Sequence, residues 1–137
     1  MNEIKQYDKK FENEQTGKKL NLTCYSYKLE IFKTLITVII GSYSLEKYNK
    51  FYGLPNSEAQ CVNGWLYINS EIILFFKDNP KASIIAHECL HACDNVLNSI
   101  GYTRTEAPII SDEISAYLLE HLIEVVNKCI ILNNEKE

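Results

Sequence analysis

Hydrophobic positions change their spacing along the chain. They are sparse up to residue 19, crowd into short runs rich in β-branched and aromatic residues through residue 76, and then recur every three to four positions. Short β-branched runs predict strands, and the wider recurrence predicts helices. Residues 1–19 are dense in Lys, Glu, Gln and Asn, with Ile4, Tyr7 and Phe11 as apolar exceptions, and read as a short helix or a loose N-terminal arm. Leu20 to Tyr27 alternates weakly and predicts a strand. The run from Ile31 to Ile40 stops at Gly41, and at least its second half predicts another. Ser42 or Ser44 is placed to cap a short helix, Leu45 to Tyr52, ended by Gly53 and Pro55.

Ala59-Gln60-Cys61-Val62, Asn63-Gly64 and Trp65-Leu66-Tyr67-Ile68 together predict a hairpin. Asn-Gly supplies the positive φ angles of a two-residue type I′ turn. Ile72 to Phe76 follows the turn residues Asn69-Ser70 as a further strand, or as one helical turn capped by Ser70. Two helices close the chain. The first opens at Asp78-Asn79-Pro80, with Pro at the first helical position, and closes at Gly101. The second starts near Ser111-Asp112 and carries an apolar stripe of Ile114, Leu118, Leu122, Val125 and Cys129. Strands followed by helices give an α+β class, with a small, mostly antiparallel sheet and two packed helices. The 137 residues fit one domain, 1–137, with 1–19 as its possible arm.

Composition narrows the function classes. With 46% hydrophobic and 23% charged residues, the chain has the balance of a globular protein large enough to bury a core without staples. The net charge of −4 and the absence of a basic run remove the electrostatic footprint of a nucleic-acid binder. Five cysteines, Cys24, Cys61, Cys89, Cys93 and Cys129, are odd in number and lack CxxC spacing, so they read as free buried thiols in a reducing compartment. The charged start Met1-Asn2-Glu3-Ile4-Lys5-Gln6 does not resemble a signal peptide. The apolar stretch Leu35 to Ile40 is too short to span a bilayer. The expected location is the cytoplasm, with no membrane partner.

The chemistry concentrates in His87-Glu88-Cys89-Leu90-His91, an HExxH motif inside the first of the two closing helices. Residues four apart on a helix differ by about 40° around its axis, so both imidazoles face one way. That spacing lets two nitrogens reach one tetrahedral zinc ion at about 2.0–2.1 Å. Glu88, beside the first ligand, is placed to take a proton from the attacking water as general base. On a helical wheel, Ala82, Ile85, Ala86, Cys89, Leu90, Cys93, Val96, Leu97 and Ile100 gather on one side. His87 and His91 lie nearly opposite, with Ser83, Asp94 and Asn98, which argues against core histidines. Cys89 and Cys93, also four apart, project to the core side.

Zinc in a catalytic site takes three protein ligands and keeps one position open. Glu113 is the leading candidate for the third, near a helix N-terminus where the macrodipole favours a charged carboxylate. Asp112 and His121 are the alternatives, and acidic residues are common in first turns without any metal. His121 lies about 80° around the helix from Glu113, so the two do not share one metal, and it reads better as a partly buried helix residue. Tyr117, one turn after Glu113, is a candidate hydrogen-bond donor to a developing oxyanion, or a half-buried helix tyrosine. Asp94 either orients an imidazole or is an exposed helix carboxylate. Trp65, Tyr67, Phe75 and Phe76 read as core packing.

From Trp65 to Glu124 the chain resembles the minimal zincins encoded by bacteriophages and prophages, which are labelled as metallopeptidases. The matching features are the strands Gly64–Ile68 and Ile72–Phe76, then Ile85-Ala86-His87-Glu88-Cys89-Leu90-His91-Ala92, Gly101, Asp112-Glu113 and Ala116-Tyr117-Leu118-Leu119. The strand ending at Ile40 and the helix after Ser42 match more loosely. The resemblance implies a gluzincin arrangement, with His87, His91 and Glu113 on zinc and Glu88 as base. Thermolysin-like gluzincins carry an Asp four positions after the ligand Glu, where this chain has Tyr117, so the contact behind their ligand is missing or made differently. The expected function is zinc-dependent hydrolysis of a peptide or protein substrate. A zinc-stabilised, non-catalytic module that binds a host or phage protein is the alternative, and a metal-free structural protein is a third.

Overall fold

The structure is a computed structural model describing residues 3–66, 69–100 and 109–135; the side chains of residues 63–66, 69 and 109–112 also fall outside the description. Five strands, β1 (Lys5–Glu12), β2 (Lys19–Leu29), β3 (Thr34–Ile40), β4 (Ala59–Leu66) and β5 (Asn69–Phe76), form one sheet in the order β1-β2-β3-β5-β4. Only β3 and β5 pair in parallel; the other three pairs are antiparallel. Helix α1 (Ser42–Tyr52) lies in the connection from β3, and α2 (Ala82–Ser99) and α3 (Ile109–Glu135) follow β5. The class is α+β, as the order of patterns implies.

Strand alternation sends side chains to two faces, and both are covered. Ile36, Val38, Ile72, Leu74 and Phe76 pack with Ile85, Cys89, Val96 and Leu97 of α2 and with Leu118, Leu122, Val125 and Val126 of α3. Ile39, Ile73 and Phe75 pack on the other side with Leu22, Cys24 and, from α1, Leu45 and Tyr48. The central strands therefore read as unbroken apolar runs, as strands buried on both faces do. Among the described residues, no helix is long and apolar enough to cross a membrane.

Several local expectations change. Residues 5–12 are neither helix nor loose arm: β1 pairs with β2 along its whole length, from Lys5↔Ser26 to Glu12↔Lys19. Its inward positions are Tyr7, Lys9 and Phe11, and the lysine in the middle disguises the two-residue period. Lys9 Nζ donates across the sheet face to Glu71 Oε1 at 2.9 Å, and Thr37 Oγ1 donates to Glu71 Oε2 at 2.7 Å. Asn63-Gly64 is not a turn but lies within β4, which pairs with β5 from Ala59↔Phe76 to Leu66↔Asn69. Eight residues of continuous ladder outweigh a local turn preference, and weak strand formers cost least in an edge strand. Asn69-Ser70 belongs to β5 for the same reason.

The helix ends differ from expectation in detail. Gly41, not a serine, is the N-cap of α1, and no side chain caps it. Gly53 closes α1 in the left-handed region at φ 69°, as anticipated, with Leu54 N donating to Asn49 O at 2.7 Å. Asn79 takes φ 49°, so Asp78-Asn79-Pro80 turns the chain out of β5 and α2 starts only after Lys81. Gly101 lies outside the described residues. Helix α3 begins at Ile109, before Ser111, and Ile114 is 42% exposed, while Ser115 takes a buried place beside Leu118.

The Lys9 and Glu71 side chains are 14% and 5% exposed. Removing one partner of such a pair strands the other charge. Glu71→Ala is expected to cost about 3 kcal/mol in urea unfolding, and Lys9→Met with Glu71→Leu to recover most of that loss. Alkaline pH tests the buried thiols. Burial pushes Cys24 from 9.0 up to about 11 and Cys129 up to about 12. Above pH 9 the unfolded chain holds fewer protons than the folded one, so stability is complete below pH 9 and declines as pH rises through the folded values. The urea midpoint is expected to fall between pH 8 and 11, and to fall less when Cys24 and Cys129 are both alanine.

Candidate metal centre

Helix α2 presents the site because its opposite face is committed to the core. Ile85, Cys89, Ala92, Cys93, Val96 and Leu97 are buried, which fixes the rotation of the helix and turns His87 and His91 outward. The His87 side chain is 67% exposed. The two Nε2 atoms stand 3.2 Å apart, with ring centroids at 4.7 Å and planes inclined by 82°. Two ligands of one tetrahedral zinc at the usual Zn–N length are separated by about 3.3 Å. The spacing of the imidazole pair is close to that of two ligands on one zinc ion, and it is equally a hydrogen-bonding distance between the two rings.

Glu88 behaves differently from its neighbours. It is only 8% exposed, yet its Oε2 lies 4.0 Å from His87 Nε2. Packing thus holds a carboxylate beside the imidazole pair. An open cavity of about 310 Å³ adjoins it, lined by Glu58, Ala59, Ser83, Ile84, His87 and Glu88. Glu58 precedes the edge strand β4, and Ala59 is its first residue. Glu58 carried no signal in the sequence, because only the pairing of β4 with β5 brings it to α2.

The structure brings together His87, His91 and Glu88. Glu113 stands exposed in the first turns of α3, and Tyr117 is 68% exposed one turn later. The Cys93 thiol donates to the Ser115 carbonyl at 3.4 Å, which docks α3 against α2 two residues beyond His91 on one helix and two beyond Glu113 on the other. Among the described residues, no group of three His, Cys, Asp or Glu side chains is gathered to hold a metal. The Asp112 side chain lies outside the described residues. His121 Nε2 is 3.1 Å from Tyr27 Oη, with the rings edge to face at 5.3 Å, so it is a half-buried residue of the interface between α3 and β2. It lines a different cavity, with Ile4, Tyr27 and Val125. Asp94 is half-buried on α2.

The cysteines near the site are poor competitors for a metal. Burial pushes the Cys61 thiol up to about 11 and Cys89 up to about 12, and Glu88 raises both further. A thiol must lose its proton to ligate, and burial makes that loss more costly here. Cys61 Sγ instead accepts from Asn95 Nδ2 at 3.7 Å. No family model matches this sequence, and no curated protein or solved structure is significantly similar to it.

Proposed function

We propose that this chain is a zinc-dependent hydrolase of amide bonds, with peptides or proteins as substrates. The observation that carries this reading is the 3.2 Å separation of His87 Nε2 and His91 Nε2 on the exposed face of α2, beside the packed carboxylate of Glu88. The resemblance of Trp65 to Glu124 to the minimal zincins points the same way, through the same HExxH residues. His87, His91 and Glu113 would hold the ion. Glu113 has the oxygen donor that such a site needs, on a helix already docked to α2 through Cys93 and Ser115.

A zinc ion held there would supply Lewis-acid chemistry, activating water and polarising a carbonyl. Glu88 accepts the proton of the attacking water and passes it to the departing amine. Its burial keeps the carboxylate in one place, so little reorganisation is needed at the moment of transfer. Tyr117, on the exposed side of α3, is the candidate donor to the oxyanion. Among the described residues β4 is an edge strand and begins at the cavity wall, where an extended peptide would add to the sheet through main-chain hydrogen bonds.

Metal analysis of protein purified without added metal is expected to give about one zinc per wild-type chain and clearly less for Glu113→Ala. No zinc in the wild type after reconstitution would end this reading. Glu88→Gln is expected to keep its zinc and lose about 10²–10⁴-fold in peptide hydrolysis, the usual weight of a general base. Full hydrolysis by that variant would remove Glu88 from the mechanism.

A further inference from the structure

We propose that Glu58 sets the specificity of this site by binding the positively charged side chain of a lysine or arginine next to the bond that is cut. The inference rests on the hydrolase reading above and adds to it a substrate class. Of the six described residues lining the cavity beside the imidazole pair, Ala59, Ser83 and Ile84 are small or apolar, and His87 and Glu88 have roles in the proposed reaction. Glu58 is the remaining charge, and it has no task in moving protons. The proposal therefore gives its carboxylate to the cavity wall.

Three features give that carboxylate a substrate-facing role. Among the described residues no lysine or arginine lines the cavity to offset its charge. Among the described residues Glu58 makes no ion pair. It also directly precedes the edge strand β4, where the side chain of an extended peptide paired to that edge would enter the cavity. The turn carrying it is braced, since Ser57 Oγ donates to Gln60 Oε1 at 2.8 Å across Glu58. The volume of about 310 Å³ is at the small end of ligand cavities, enough for one long side chain. A solvent-facing carboxylate adds a modest preference, about three- to five-fold in affinity.

The test measures binding before cleavage. Fluorescently labelled octapeptides, acetylated and amidated, carry Lys, Gln or Glu at one central position and are titrated into zinc-loaded Glu88→Gln protein. The Lys peptide is expected to bind about three- to five-fold tighter than the Gln peptide. That preference should vanish on adding Glu58→Gln and should invert toward the Glu peptide on adding Glu58→Lys. Equal affinities, no binding of any peptide, or a preference that survives both substitutions would overturn the proposal. In that case Glu58 serves instead as a charge partner for the first turn of α2, which has no acidic residue and no side-chain cap. Peptides with a free amino terminus separate the two sources of cation: a preference that follows the terminus and ignores lysine also overturns the assignment. Mass spectrometry of the same peptides with wild-type protein keeps the two readings apart. Cleavage without a flanking charge preference sinks Glu58 alone, whereas a Glu58-dependent preference without cleavage sinks the hydrolase and leaves Glu58 as the cation site.

Discussion

The parallel pairing of β3 with β5, from Thr34↔Ser70 to Ile40↔Phe76, is the constraint on which the rest of the architecture depends. Parallel neighbours cannot be joined by a tight turn, so the chain must leave the sheet after Ile40 and return. It does so through α1 on one face, and β4 then forms the outer neighbour of β5. With α1 on that side, α2 and α3 take the other, and the two central strands are buried above and below. Their register also fixes where α2 starts. Gly41 N donates to Phe76 O at 2.8 Å, which ties the beginning of α1 to the end of β5. Five residues beyond Phe76 the chain enters the helix that carries the histidines.

A second, polar constraint acts on the α1 face. Helix α1 is eleven residues long, and away from its apolar contacts Glu71, Thr37 and Lys9 meet between strands. A buried charge pair adds little net stability, because desolvation consumes most of its Coulomb energy. Its use here is positional. A one-residue slip of β1 would turn Lys9 to solvent and leave Glu71 buried without its cation. The same surroundings act on Tyr7, whose hydroxyl is pushed far above its ordinary range, first by burial and then by Cys24. The edge strand that looks least structured in the sequence is thus pinned by one of the more expensive contacts in the fold.

What the sequence made legible follows from the range of the interactions involved. The i, i+4 spacing of His87 and His91 and the apolar stripe behind them are local, and they predicted both the shared direction of the imidazoles and the burial of Cys89 and Cys93. Gly53 as a helix stop and the runs of β3 and β5 were readable for the same reason. Local reasoning failed where a distant partner decides. Lys9 faces inward with Tyr7 and Phe11, and the partner that makes this tolerable, Glu71, lies 62 residues away. Asn63-Gly64 is strand because β5 offers a ladder on one side. Glu58 reaches the site through that same pairing and has no motif of its own.

The contrast within the HExxH turn bears on how the proposed chemistry would work. His87 is largely exposed and Glu88 is almost wholly buried, although they are adjacent in the chain. The base is therefore held by packing that exists before any metal arrives, whereas an exposed imidazole acquires a fixed position chiefly through the bond it makes. On the proposed ligand set the ion would join α2 to α3, whose buried faces already meet where the Cys93 thiol donates to the Ser115 carbonyl. Binding energy would then appear partly as stability of that helix pair, because a site completed only on binding couples metal to folding. Proton transfer would draw on the sheet and its core, and metal affinity on the docking of α3. Loss of metal would accordingly loosen the two helices while leaving the central strand pair intact.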